Sequence, residues 1–191
     1  MNKYYILNSE VENKDYFAEK ATTSEEDIYI KSVSGLSLKN KNIKIELKKG
    51  KGKVKNNIEN ALGIPIISEL ISNSLLESCH NEIELFEVDV KVPTNSKFYF
   101  LNILDNIDAI NFQESLLVEI IPDTKILSEV EKLVLDDFKI GSRQIFRLTH
   151  FSAKIIISQD LKNKLEELKL SEFKFIPVEE FRYKAGTLNR Y

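Results

Sequence analysis

Two stretches of this sequence, 90 residues apart, share one order of an apolar run, a serine-led helical pattern and an alternating strand. The first covers about residues 64–92 and the second about residues 153–178. In each copy a serine, Ser68 or Ser158, follows an Ile-Ile pair and precedes apolar residues at helical spacing. A serine there can cap a helix, because its hydroxyl can accept a hydrogen bond from a backbone N–H of the first turn. The pattern therefore predicts two similar strand–helix–strand modules.

The strand that follows each predicted helix supports the same interpretation. At residues 83–86 and 173–176, alternation of apolar and polar residues ends at the same place with two adjacent apolar residues. A shared loss of the two-residue period predicts a bulge or bend at that point in both copies. Coincidence between two ordinary amphipathic segments is the alternative explanation. A single pair of copies at this spacing excludes a stacked repeat array.

The remaining pattern places many short strands around these modules. Residues 1–60 form a β-rich part, turns are expected at 93–95, 105–108 and 122–123, and the tail 181–191 has little pattern. We expect one domain over residues 1–191, of the α+β class, with largely antiparallel sheet and two or three amphipathic helices on its faces. The other predicted strands lie near residues 4–7, 28–33, 43–47, 97–104, 115–121 and 144–148.

Charge is unevenly distributed along the chain. Residues 39–55 contain eight lysines and one glutamate, a local charge of +7, while the whole chain carries −3. Two glycines, Gly50 and Gly52, predict a reversal there, so the segment is expected to be a lysine-rich hairpin tip. Nucleic-acid binding is the alternative, but the segment lacks the arginines and interleaved aromatic residues that favour phosphate and base contacts. We therefore expect no nucleic-acid partner.

Composition limits the compartment and the chemistry. No apolar run approaches the length of a membrane span, and residues 1–5 show no signal-peptide core. One cysteine, Cys79, excludes an intramolecular disulfide and fits a reducing cytoplasm. With Cys79 there are only two histidines, His80 and His150, which are too few for a zinc site. We expect a cytoplasmic protein that needs no metal or cofactor.

Few residues qualify as functional candidates. The acidic pairs Asp105/Asp108 and Asp136/Asp137 could bind a cation or act as acid and base, although solvated turn carboxylates explain them as well. Arg147 stands in an apolar strand and needs a carboxylate or carbonyl partner if it is buried. A structural role is expected for Arg147, and a ligand-anchoring role is the alternative.

The order of short motifs resembles a known family. It includes Ile64-Pro65-Ile66-Ile67-Ser68, then Phe100-Leu101-Asn102-Ile103-Leu104, then Ile145-Phe146-Arg147-Leu148, and last Ile155-Ile156-Ile157-Ser158 with its helix. Over about residues 60–178 the chain resembles the bacterial immunity proteins of polymorphic toxin systems, of the Imm-eleven type, formerly a domain of unknown function. It departs from the family at Ser171-Glu172, where a glycine is expected, and in the lysine-rich segment before residue 56.

The resemblance implies a cytoplasmic, non-catalytic protein that binds and neutralises a cognate toxin domain, and it supplies no catalytic residues. Outside the lysine-rich segment the chain is acidic, which suits a basic toxin and would speed encounter with it. On that ground we expect Asp105, Asp108, Asp136 and Asp137 to contribute to the toxin-facing surface. Two alternatives stay open: a nucleic-acid-binding accessory protein using residues 39–55, and an enzyme built from Arg147 and the turn carboxylates.

Overall fold

The computed structural model describes residues 3–10, 12, 14–48, 50, 52–91, 94–119 and 127–184. Residue 93 of the turn predicted at 93–95, the whole turn predicted at 122–123 and most of the predicted loose tail lie outside these residues. The helices are α1 Ile28–Val33, α2 Glu69–Cys79, α3 Asp137–Ile140 and α4 Gln159–Glu167, with a 3-10 turn at Val178–Glu180. The strands are β1 Tyr4–Ser9, β2 Phe17–Ala18, β3 Lys20–Thr23, β4 Ile45–Lys48, β5 Glu59–Asn60, β6 Ile66–Ser68, β7 Ile83–Val90, β8 Phe98–Ile103, β9 Asn106–Ile107, β10 Leu116–Glu119, β11 Leu127–Lys132, β12 Ile145–Leu148, β13 Phe151–Ser158, β14 Phe173–Pro177 and β15 Tyr183–Lys184.

Most of these strands lie in two five-stranded sheets. One has the order β3-β4-β7-β8-β6 and the other β14-β1-β13-β12-β9, and most of their pairings are antiparallel. Strands β10, β11 and β15 form a small third sheet, and β2 pairs with β5. The predicted α+β class is confirmed.

Each large sheet contains one of the predicted modules. The first module consists of β6, α2, β7 and β8, and the second of β13, α4, β14 and β1. In both, the strands before and after the helix are separated by one strand that runs antiparallel to each of them: β8 in the first module and β1 in the second. The middle strands have closely similar sequences, Phe-Tyr-Phe-Leu-Asn from residue 98 and Tyr-Tyr-Ile-Leu-Asn from residue 4.

The hydrogen-bonded register is the same in both modules. Ser68 lies opposite Phe98 in the first, and Ser158 lies opposite Tyr4 in the second. The second ladder agrees as well: Phe86–Phe100, Leu85–Leu101 and Glu84–Asn102 match Ile176–Ile6, Phe175–Leu7 and Lys174–Asn8. Residues of β6, α2 and β7 thus correspond to residues 90 positions later, and residues of β8 to residues 94 positions earlier. The duplication is therefore structural, and the chain supplies the middle strand of its second module first.

The correspondence extends beyond the modules. Asn57 bridges to Ile67 of β6 as Ile145 bridges to Ile157 of β13. Strand β5 then pairs with β2 in parallel, as β12 pairs with β9. The bridge between Ala21 and Leu47 likewise corresponds to the bridge between Ile110 and Leu135.

Contacts between the modules are reciprocal. Glu82 accepts hydrogen bonds from the backbone N–H groups of Gln144 and Ile145, beside the second module. Its counterpart, Glu172, accepts one from the backbone N–H of Asn56 (2.9 Å), beside the first module, and another from the side-chain amide of Asn56. Reciprocity of this kind is the signature of a twofold arrangement, here within one chain.

Helices α2 and α4 lie between the two sheets and share one hydrophobic core. Ile71 and Leu75 of α2, and Leu161 and Leu165 of α4, face it at i and i+4, the spacing that places residues on one side of a helix. The outer face of each sheet packs on a further core: Phe98 and Phe100 belong to one, and Tyr4, Phe146 and Ile156 belong to the other. The predicted single domain over residues 1–191 stays a prediction, which the shared core favours.

Of the predicted bulge or bend in each copy, the bulge is wrong, and burial on both faces of the strand explains why. The pairings of β7 with β8 and of β14 with β1 run without a register shift. Leu85 and Phe175 face the shared core, whereas their neighbours Phe86 and Ile176 face the outer cores. Two adjacent apolar residues are therefore what a strand covered on both sides requires.

Two further local predictions are wrong. Residues 28–33, predicted as a strand from their alternation, form α1, in which Ile28 and Ser32 are buried at i and i+4. The lysine-rich segment does not form a hairpin tip: after β4 it runs beside residues 14–17, and Lys53 bridges to Asp15. Gly50 and Gly52 allow that approach, because a Cβ atom at either would lie within 2.5 Å of Tyr16, Phe17 or Asp15 atoms.

Candidate functional site

The duplicated fold places two eight-residue connections at corresponding positions, and their chemistry differs. Residues 48–55 lead from Leu47 to the strand beside β6, and residues 136–143 lead from Leu135 to the strand beside β13. The first connection reads Lys-Lys-Gly-Lys-Gly-Lys-Val-Lys, and the second reads Asp-Asp-Phe-Lys-Ile-Gly-Ser-Arg. Where the scaffold is the same on both sides, such differences are candidates for function.

The second connection forms α3 and exposes an aromatic ring. Asp136 caps the helix by accepting hydrogen bonds from the backbone N–H groups of Phe138 and Lys139. Ile140 is buried and anchors the turn. Phe138 points away from that anchor and is 94% exposed, the largest exposed fraction among the big apolar side chains described. Single exposed apolar side chains are common on protein surfaces, and Phe138 is singled out by the extent of its exposure, which makes it a candidate anchor for a partner.

The four predicted carboxylates gather around α3. Asp105 forms an ion pair with Arg143 at 3.1 Å, and Asp108 lies 4.0 Å from Lys139. Asp136 caps the helix, and Asp137 is its first residue. We define the α3 surface as Phe138 with Asp105, Asp108, Asp136 and Asp137. The turn predicted at 105–108 is in fact partly strand, because Asn106 and Ile107 form β9.

These ion pairs also fix α3 to the rest of the protein. Lys139 and Arg143 lie within and just after α3, while their partners Asp105 and Asp108 flank β9. His150 approaches Asp108 as well, with 3.4 Å between Nε2 and Oδ1. The predicted acidic surface is therefore partly neutralised by neighbouring cations. Its most distinctive feature is the exposed ring.

The first connection is less basic in space than in sequence. Lys48 pairs with Glu46 at 2.8 Å, and Lys55 pairs with Asp15 at 2.9 Å. Hydrogen bonds from the Glu12 backbone and from Lys55 lower the pKa of Asp15, so the pair is charged at neutral pH. The carboxylates beside these lysines therefore interrupt the positively charged surface formed by the described residues. This arrangement favours the expectation that nucleic acid is not the partner.

Arg147 is buried in β12, and its side chain is 3% exposed. It donates one hydrogen bond, from Nη1 to the Ser152 carbonyl at 2.7 Å. Burial lowers the pKa of Arg147 to about 10. Among the described residues no carboxylate lies within ion-pair distance, and the turn carboxylates are bound elsewhere. The structure thus supplies the carbonyl partner. The Arg147 backbone N–H donates to the Asp105 carbonyl at 2.8 Å, but the guanidinium forms no ion pair with the predicted acidic side chains.

The two serines occupy the same backbone conformation but bond differently. Both precede a helix with φ near −71° and ψ near 165°. Ser158 accepts a hydrogen bond from the Leu161 N–H, as a cap does. Ser68 makes no such bond. Both hydroxyls donate to the side-chain oxygen of a corresponding residue, Ser68 to Asn56 at 2.9 Å and Ser158 to Gln144, so the modules share this contact and differ only in the cap.

Cys79 and the histidines are not arranged as a reactive pair. Burial raises the pKa of the Cys79 thiol to about 12, and its Sγ lies 3.0 Å from the Leu75 carbonyl oxygen. His80 is exposed at the end of α2, and His150 packs edge-on against Phe112. Within the described ranges, no group of three or more metal-ligating side chains is close enough to hold an ion. No helix in the described part of the chain has the length and apolarity needed to cross a membrane.

Comparison with known proteins agrees with the resemblance seen in the sequence. No curated protein matches this sequence. The model of the Imm11 immunity protein family matches residues 3–180, which include both modules, the lysine-rich connection and the whole α3 surface. A match over that span covers nearly the whole chain, and the protein therefore belongs to the Imm11 immunity protein family.

Proposed function

We propose that this protein binds a cognate toxin domain in the cytoplasm and neutralises it by occlusion, without catalysing a reaction. The observation that carries the proposal is the family match over residues 3–180. An inhibitor that acts by occlusion needs a rigid scaffold and a complementary surface. Two sheets packed on a shared core of two helices meet the first requirement.

The α3 surface is the proposed toxin-facing surface. Phe138 would be its anchor, since exposed aromatic side chains that fill a partner's pocket carry much of the binding energy at interfaces. The surrounding carboxylates would form a polar rim that favours a basic partner and excludes acidic ones. The partner is accordingly a toxin domain with an apolar pocket bordered by lysine or arginine side chains.

Co-expression is the direct test of the function. The toxin domain encoded beside this gene is expressed in a host cell, with or without this protein, and growth is measured. Restored growth supports the proposal, with an unrelated toxin as the specificity control. Continued arrest despite soluble expression of both proteins would refute it.

The carboxylate rim makes a separate prediction. Replacing Asp105, Asp108, Asp136 and Asp137 together by Asn should slow association with the purified toxin domain, with the largest effect at low salt, since rim charges act chiefly on the rate of encounter. Association rates measured by surface plasmon resonance at two salt concentrations would show it. Circular dichroism controls for the loss of the ion pairs that hold α3. Unchanged rates in a folded variant would remove the rim from the toxin-facing surface without affecting the broader proposal.

A further inference from the structure

A cavity of about 350 Å³ lies between the two modules. Corresponding residues of both modules line it in pairs, namely Leu75 with Leu165, Leu101 with Leu7, and Pro65 with Ile155. Its size is at the lower end of the range for small-molecule sites, which form preferentially where two structural units meet. Leucine, isoleucine and phenylalanine side chains form about half of its wall, and polar residues form much of the rest.

One side of this cavity carries an uncompensated cation. Arg147 lines it, and the Nε atom of Arg147 is buried with no hydrogen-bond partner among the described residues. Nη1 is occupied by the Ser152 carbonyl, so the Nε edge of the guanidinium is left for another acceptor. A buried charge without a counter-charge costs several kcal/mol, and an anion placed beside it offsets that cost. Carboxylates suit this edge because they can accept two parallel N–H bonds.

The fold does not require an arginine there. The residue of the first module that corresponds to Arg147 is Glu59, and the residue that corresponds to Lys154 is Ile64. The same scaffold position is thus built without a cation. Glu59 also lines the cavity, but it lies beyond ion-pair distance from Arg147. Positive charge is therefore a particular property of one wall of the cavity.

Helix α1 closes the cavity with further polar groups. Tyr29 and Ser32, three positions apart on one side of α1, both line it. The Ser32 hydroxyl oxygen is fully buried and has no partner among the described residues. Lys154 lies at the same wall, and its Nζ has one contact, with Asn8 at 3.4 Å. A hydroxyl and a guanidinium edge that line the same cavity, each buried and without a partner among the described residues, indicate a polar ligand group in this cavity.

We propose that the cavity between the modules binds a small organic carboxylate, with its carboxylate on the Nε edge of Arg147 and its apolar body against the leucines. Neutralisation of the toxin does not depend on this site.

Benzoate and its neutral analogue benzamide are the probes for a test by isothermal titration calorimetry on the purified chain. Benzoate should bind saturably with a Kd at or below about 1 mM, and benzamide at least about tenfold more weakly, since one lost charged contact is worth 1.4 kcal/mol or more. Arg147→Met should weaken benzoate by at least the same factor and leave rescue from the toxin unchanged.

The comparison of benzoate with benzamide uses the unaltered protein. It therefore tests recognition of the carboxylate even if Arg147→Met fails to fold. Absence of saturable benzoate binding at about 10 mM, equal binding of benzamide, or full benzoate affinity in folded Arg147→Met would each overturn the proposal. Inorganic phosphate that binds more tightly than benzoate would overturn the carboxylate assignment.

Discussion

The two connections at residues 48–55 and 136–143 occupy corresponding places in a duplicated fold and differ in chemistry. In the described part of the lysine-rich connection, Gly50, Gly52 and Lys53 lie against residues 14–17, and carboxylates lie beside Lys48 and Lys55. The other rises into α3 and holds Phe138 in water. The scaffold positions of the two modules agree in register, whereas their connections diverge. We propose that the modules provide stability and that the differences between the connections provide specificity.

The largest expected effect tests the scaffold half of this comparison. Leu75→Ala and Leu165→Ala remove corresponding side chains, each 2% exposed, from the shared core. Each should lower the free energy of unfolding by about 2–5 kcal/mol, because a cavity is left where a leucine was packed. Urea unfolding measures both. A difference well above 2 kcal/mol between the two variants would break the equivalence of the modules.

The second prediction concerns a place where the modules differ. Arg147→Met removes a buried, uncompensated cation and should raise the free energy of unfolding by about 1–4 kcal/mol, as replacing buried charges by apolar groups often does. Glu59→Met at the corresponding position should change it by no more than about 0.5 kcal/mol, because Glu59 is only partly buried. Thermal and urea unfolding of both variants provide the comparison. Destabilisation by Arg147→Met would show that the hydrogen bond from the guanidinium to the Ser152 carbonyl outweighs the cost of burying the charge.

The third prediction concerns the pH dependence of the free energy of unfolding. It should differ in sign between the two reciprocal carboxylates, Glu82 and Glu172. Burial raises the pKa of Glu82 despite its hydrogen bonds. Burial also acts upward on the pKa of Glu172, but the backbone and side-chain hydrogen bonds from Asn56 outweigh it, so the pKa lies below its usual value. Glu172 therefore stabilises the fold above its unfolded pKa of about 4.3, and this contribution is lost as pH falls through the folded pKa. Ionised Glu82 instead destabilises the fold. This destabilisation is fully present above the folded pKa of Glu82 and disappears as pH falls below its unfolded pKa.

Glu172→Gln should thus cost about 1–2 kcal/mol at pH 7 through loss of charged hydrogen bonds, and its deficit against the unaltered protein should shrink towards pH 3. The deficit of Glu82→Gln should instead grow as the pH falls. Urea unfolding of the unaltered protein and both variants between pH 3 and pH 7 gives the slope of each variant's stability deficit against pH. Slopes of the same sign would contradict the assigned pKa directions.

Local pattern was enough to predict the modules. Isoleucine pairs, a serine and leucines at helical spacing placed α2 and α4 to within about a residue, because these signals lie close together in the chain. The α+β class followed from counting strands. The kinship of β1 with β8 was missed, although Tyr-Tyr-Ile-Leu-Asn and Phe-Tyr-Phe-Leu-Asn are alike, since β1 comes before rather than after its helix. A comparison of strands regardless of chain order would have found it.

Tertiary contacts explain the other misses. Residues 28–33 alternate like a strand, yet burial of Ile28 and Ser32 on one side and the ion pair of Lys31 with Glu25 accompany a helix. The four aspartates were chosen as parts of a toxin-facing surface, which stays a prediction, and their partners Lys139 and Arg143 were not foreseen. Phe138 was overlooked altogether, because exposure of an aromatic residue depends on how α3 packs. Its position between two acidic residues and a lysine was the available signal.

The central claim is that the protein neutralises a toxin through the α3 surface and not through the corresponding lysine-rich connection. The most direct measurement is the affinity of the purified cognate toxin domain for Phe138→Ser and for Lys48→Gln/Lys53→Gln, each checked by circular dichroism. We expect Phe138→Ser to raise the Kd by about 30- to 1000-fold, as loss of an interface anchor worth 2–4 kcal/mol does, and the lysine variant to change it by less than about fivefold. An unchanged Kd for Phe138→Ser, or a larger loss in the lysine variant, would contradict the account.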